Sequence, residues 1–174
     1  AFIVAMIVEG LWAVRHPEVR GYTKRDTAAR LTMGLSNVAI NAVTKLAISL
    51  PLFWLAYEHR LVHLGRPGAW WSWLVLLFAE DCCYYWFHRI HHEVRVLWAA
   101  HVVHHSSEHF NLSTALRQPI LTPFTGPIFW VPLGLLGFPP AMVLLAQAWS
   151  LLYQFGLHTE AIGRMPRWFE ALFN

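Results

Sequence analysis

The chain has 174 residues, with 13 Lys and Arg against 10 Asp and Glu, a formal net charge of +3, and only 13% charged residues. Soluble globular domains carry about 25% charged residues; with 56% hydrophobic residues, ten Trp and eleven Phe, this composition argues against a water-soluble domain and for a membrane protein of one domain. The pI near 9.1 comes with no Lys/Arg run or basic stripe that would track phosphates, which excludes a nucleic-acid partner.

Residues 1–14 (AFIVAMIVEGLWAV) read as the last part of a transmembrane helix, with Glu9 as a polar residue facing protein or marking a helix contact. The chain starts inside an apolar run, without initiator Met, basic n-region or cleavage site, and so reads as a piece of a longer protein. Residues 15–30 hold five of the thirteen basic residues and are expected to form a polar loop. Residues 31–57 are apolar and long enough to cross about 30 Å of hydrocarbon. Lys45 in their middle is expected to face the bundle or to snorkel. A short loop, 58–68, precedes a further span at 69–87, whose Trp70, Trp71 and Trp73 suit an interfacial aromatic belt. The adjacent Cys82 and Cys83 read as packing residues, because vicinal cysteines make strained disulfides. Residues 88–118 are too polar for lipid. Two apolar stretches, 120–136 and 139–157, both near the minimum length for spanning, read as a membrane-embedded hairpin, the first kinked by Pro119, Pro123, Pro127 and Pro132. The fold class expected is thus an all-α, multi-pass integral-membrane bundle with a histidine-rich helical cap at its cytoplasmic face.

Seven of the eleven histidines fall between positions 88 and 109. His88 and His92 are four apart, which on a helix places them on one face a turn apart. His101, His104 and His105 repeat that design, so two segments can offer imidazoles to a shared metal site. Imidazole suits Fe, Zn, Cu and Ni alike, but a tetrahedral Zn site takes at most four ligands; six or more clustered imidazoles point to two metals. Isolated histidines such as His16, His59 and His63 read as structural or surface residues. His91 points about 100° away from His92 and is not expected to bind the same metal in the same way.

The segment from Asp81 to Gln118, DCCYYWFHRIHHEVRVLWAAHVVHHSSEHFNLSTALRQ, resembles the fatty-acid hydroxylase/sterol desaturase superfamily, in its sterol-desaturase-like or ether-lipid branch. Its HxxxH box is matched by His88 and His92, and its HxxHH box by His101, His104 and His105. The resemblance implies two non-haem irons held by histidine, O2, electrons from an external redox protein or pterin, and hydroxylation or desaturation of a lipid drawn from the bilayer. It implies His88, His92, His101, His104, His105, His109 and His158 as metal ligands, and a third HxxHH box beyond Asn174. Asp81, Glu108 and Glu160 are then candidate acceptors for the outward ring nitrogens, which need a partner to fix their tautomers. Asn111 and Arg117 are expected to orient the site or contact a lipid headgroup. Tyr84, Tyr85 and Trp86 read as interface packing. Two other classes fit the residues: a membrane metal transporter, and a family member without a complete catalytic centre.

Overall fold

The computed structural model describes residues 2–16, 24–107, 110–159 and 164–173. Among these the regular structure is entirely helical. The elements are α1 (Phe2–Arg15), α2 (Lys24–Thr44), a π turn (Lys45–Ser49), α3 (Leu50–Glu58), α4 (Trp70–Glu93) and α5 (Arg95–His101). A 3₁₀ helix (Leu112–Leu116), α6 (Thr122–Thr125), a second 3₁₀ helix (Pro127–Trp130), α7 (Val131–Leu135), α8 (Pro140–Leu157) and α9 (Arg167–Phe173) follow.

α2, the π turn and α3 run on as one long helix. From Arg25 to Glu58 it is long and apolar enough to cross a membrane, by length and composition, and among the described residues it alone meets that test. The π turn lies just before Pro51. A proline has no N–H to donate, and its ring crowds the carbonyl four residues back, here Ala47, so the helix widens locally. Lys45, at the start of this turn, is exposed and does not pack into the bundle.

Two sequence expectations need correction. The polar loop expected over residues 15–30 ends early: Lys24–Arg30 is the first part of α2. Asp26 in the first turn suits the helix N-terminus, and its ion pair with Arg30 four residues on supports the same face. The stretch 120–136 is not one kinked helix. Its prolines divide it into two short α-helices separated by a 3₁₀ turn.

α4 carries the core. Its buried residues Ser72, Leu76, Glu80, Phe87 and His91 fall on one face. Leu76 and Phe87 pack with Phe53 of α3, Trp130, Leu133 of α7, Phe138, and Met142, Val143 and Ala146 of α8. The N-terminus of α4 is fastened by Ser72, whose hydroxyl donates to the Leu64 carbonyl at 2.6 Å and accepts from the Arg66 N–H at 2.9 Å. At its far end Val94 is extended, breaking the helix so that α5 turns back against α4. By contrast Ile3, Val4, Ile7, Leu11 and Val14 of α1, and Leu35, Val38 and Leu46 along the long helix, are exposed.

Gly137 makes the turn between α7 and α8 with φ of 84°, where an L side chain is strained, and a Cβ there would lie 2.2 Å from the Val62 carbonyl oxygen. Gly137→Ala is expected to destabilise the fold by about 1–3 kcal/mol, read as a lowered melting midpoint of the detergent-solubilised full-length protein. An unchanged midpoint would contradict the packing of the 58–68 loop on this turn.

Candidate metal centre

His88 and His92 leave the last turns of α4 on one face, and α5, folded back at Val94, brings His101 and the turn after it alongside. The result is a group of four imidazoles, His88, His92, His101 and His105, with one ring nitrogen from each lying within 4.8 Å of all the others. The ligands of a single ion bound at about 2.0–2.1 Å lie at most about 4.2 Å apart, so the group needs to contract only a little to take one ion. Trp98 stands over the same group, its ring 5.1 Å from that of His92 and 5.8 Å from that of His105.

His104 turns the other way. Its Nδ1 lies 3.1 Å from the Arg117 carbonyl oxygen, and its Nε2 lies 3.3 Å from Nε2 of His158 at the end of α8. His158 Nδ1 in turn lies 2.6 Å from the Gln154 carbonyl oxygen. A carbonyl can only accept, so both Nδ1 atoms carry the proton. Neutral rings in that tautomer present two bare lone pairs to each other, an arrangement that calls for a cation between them. His88 has Nδ1 3.5 Å from the Tyr84 hydroxyl, which can donate or accept, and Nε2 3.0 Å from Nε2 of His92. The histidine segment lies past the apolar part of α4, and His101 Nε2 is buried with no hydrogen-bond partner among the described residues. The donor set fits a bound metal ion, and in the His104–His158 pair the outward nitrogens are tied down and the inward ones bare.

Electrostatics point the same way. Burial first, and then the neighbouring imidazoles, push the His88 ring down to about 4 and the His101 ring to about 3. Burial likewise pushes His104 down to about 4, against the opposing bond to Arg117. His105 is lowered too, chiefly by burial. At neutral pH these rings are therefore uncharged and able to bind metal.

His91 stands apart, as its helical phase predicts. It is fully buried, with Nδ1 2.7 Å from the Phe87 carbonyl oxygen and Nε2 3.0 Å from the Thr125 hydroxyl, so both nitrogens are used in packing α4 against α6. His16 and His59 each bond the carbonyl four residues back, and His63 accepts from Arg60.

Among the residues expected to support the site, Asn111 and Arg117 lie in and just after the 3₁₀ helix that follows the histidine turn. Asn111 is buried and caps the 3₁₀ helix through the Ser113 N–H, while Arg117 holds His104 through its carbonyl. Asp81 is exposed, two turns of α4 before His88. The buried acid is its neighbour Glu80, which accepts from the Trp130 indole at 3.3 Å. His109, Glu108 and Glu160 lie outside the described residues. Tyr84 was expected only to pack, yet it reaches His88. The sequence reading also assigned no role at the site to Glu9, Asp26 or Arg30. Glu9 is buried and accepts from the Leu112 N–H at 2.8 Å and from the Thr159 hydroxyl. Its position inside an apolar helix was the available signal; for Asp26 and Arg30 it was the four-residue spacing of opposite charges.

The model of the fatty acid hydroxylase family matches residues 73–174, a stretch that takes in both histidine groups, and the chain belongs to that family. Among curated proteins it is similar to human alkylglycerol monooxygenase, 39% identical over 149 residues that cover 82% of this chain and 33% of the human protein. The Xenopus tropicalis alkylglycerol monooxygenase is 36% identical over 169 residues, 94% of this chain and 36% of that protein. The Danio rerio alkylglycerol monooxygenase is 50% identical over 92 residues, 53% of this chain and 20% of its own. The chain thus spans about a third of the human and Xenopus proteins' length. No solved structure matches it significantly.

Three outcomes follow for the metal-free and metal-loaded full-length protein. Below pH 6.5 the unfolded chain takes up protons on its histidines, whereas folded His88 and His104 resist until about pH 4. The metal-free fold therefore keeps its full stability above pH 6.5 and loses it as the pH falls through that window; a melting midpoint flat across it would contradict the burial of these rings. His101→Ala is expected to lose metal, measured by elemental analysis. His91→Leu is expected to keep metal while losing about 1–3 kcal/mol of stability, because the Phe87 carbonyl and Thr125 hydroxyl lose their partner.

Proposed function

We propose that this chain forms the membrane-embedded part of an O2-dependent lipid monooxygenase that hydroxylates an alkylglycerol-type ether lipid at a centre of two non-haem irons. The observation that carries the reading is the division of six imidazoles into two groups with inward-facing nitrogens. His88, His92, His101 and His105 would hold one metal. His104 and His158 would hold the other, with His109 and residues outside the described ones completing it. Imidazole alone does not select iron; that preference rests on the resemblance to the fatty-acid hydroxylase/sterol desaturase superfamily, and the relatives' name supplies the substrate class. When bound, the metals would activate O2 for attack on an unactivated C–H bond, with electrons from an external redox protein or reduced pterin.

The chain's own residues prepare the site. The Arg117 and Gln154 carbonyls and the Tyr84 hydroxyl hold ring orientation. Trp98 sets aromatic surface against His92 and His105, and Phe87 and Phe129 pack on His91 behind them. The exposed apolar faces of α1 and of the long helix suit a lipid surround, which would let a substrate approach from within the bilayer. We place the histidines at the cytoplasmic face of a multi-pass bundle, a topology supported by the basic residues near the start of α2.

The test uses the full-length protein in nanodiscs with an alkylglycerol, a reductant and isotopically labelled O2. One labelled oxygen per product and two irons per chain are expected, with both metal content and turnover falling in His104→Ala. Turnover with zinc in place of iron, or labelled oxygen absent from the product, would sink the proposal.

A further inference from the structure

The geometry points to a buried ionic latch on α1 and α2, built from Glu9, Asp26 and Arg30, that seats His104 against His158 and so sets the second half of the metal centre. These three residues lie outside the stretch that the family model matches. The inference rests on the proposed reading only in calling that histidine pair half of a metal site.

Arg30 is 1% exposed. It pairs with Asp26 and donates to Asn111 Oδ1 at 2.6 Å, to Ser113 Oγ at 2.7 Å and to the Ser107 hydroxyl. One guanidinium thus grips the loop after His105 on both sides of residues 108–109. Asp26 carries the contact onward, accepting from Arg117 at 3.1 Å. Arg117 also donates to the Val103 carbonyl at 3.1 Å, beside His104, and its own carbonyl fixes the His104 ring. Glu9 works from α1 on both arms of the pair at once. One oxygen takes the N–H of Leu112, the first residue of the 3₁₀ helix that leads to Arg117, and the other takes the hydroxyl of Thr159, next to His158.

Stability does not explain such a network. Taking charges out of water costs several kcal/mol per ion, and well-packed apolar residues often replace buried ion pairs without loss. What charged, hydrogen-bonded groups do here that apolar ones cannot is specify one position for two loops that carry facing imidazoles. Of the four-histidine group, by contrast, His88 and His92 are held by α4 and His101 by α5, while His105 lies in the turn that follows. Glu9, Asp26 and Arg30 are positioning residues, and only one of the two histidine groups depends on them.

The experiment measures diethylpyrocarbonate modification of each histidine, by peptide mass spectrometry, in the full-length protein as purified. In Arg30→Met, His104 and His158 are expected to react severalfold faster than in the wild type, while His88 and His101 keep their wild-type rates. Arg30→Lys, which keeps the charge beside Asp26 but not the forked grip, is expected to fall between. Should Arg30→Met fail to fold, Glu9→Gln, which keeps only one acceptor oxygen, decides by the same comparison. Unchanged rates at His104 and His158, or equal acceleration at all four histidines, would overturn the latch. Metal content is read on the same samples: a wild-type chain without metal counts against the oxygenase reading, yet the comparison of rates still decides whether the latch positions the pair.

Discussion

Imidazoles crowded at one end of a helical bundle can take a metal only if they give up their charge and turn their free lone pairs inward. At His104 both conditions are met. Backbone carbonyls of Arg117 and Gln154 accept the Nδ1 protons of His104 and His158, which leaves no proton on the facing nitrogens. Burial keeps a second proton from arriving on His104. The bundle, the loops and the buried polar network all serve this arrangement of tautomers.

That requirement explains the unusual chemistry of the helices. α1 and α2 are apolar on their outer faces and yet bury a carboxylate and a guanidinium on the inner ones. Those groups are tied to the loops around the histidines, so the outer helices hold the centre in place as well as surrounding the bundle. α4 shows the same division at closer range. One face packs Leu76 and Phe87 into the core, and the adjoining face carries His88 and His92 to the centre.

The sequence disclosed the centre unevenly. The four-residue spacing of His88 and His92, and its repetition from His101, was enough to predict one cluster, because helix geometry is local. That neighbouring His104 and His105 would turn to different partners was not legible. They lie in a turn after α5, where successive side chains diverge, and the partner of His104 is more than fifty residues away. The carbonyls that fix the rings have no side-chain signature at all. Asp81 reads as a candidate acceptor at the centre, although the stripe through Ser72, Leu76 and Phe87 assigns position 80, not 81, to the inner face. Density of charge hid α2's beginning, since a polar stretch with scattered basic residues reads as a loop until Asp26 and Arg30 are seen as one turn of helix.

The π turn before Pro51 has a bearing on all of this. Along the long helix the buried positions run Arg30, Gly34, Asn37 and Thr44, then Ser49, Phe53 and Ala56. The step from Thr44 to Ser49 is five residues, too many for one α-helical turn, and in an unbroken α-helix it would swing everything beyond it about 140° around the axis. A turn that closes on the fifth residue absorbs the surplus. The polar grip of Arg30 and the apolar seat of Phe53 therefore stay on one continuous seam, facing the histidine loop at one end and the core at the other. The helix behaves as a regular one with a single residue spliced in, and its phase is restored within one turn of the splice.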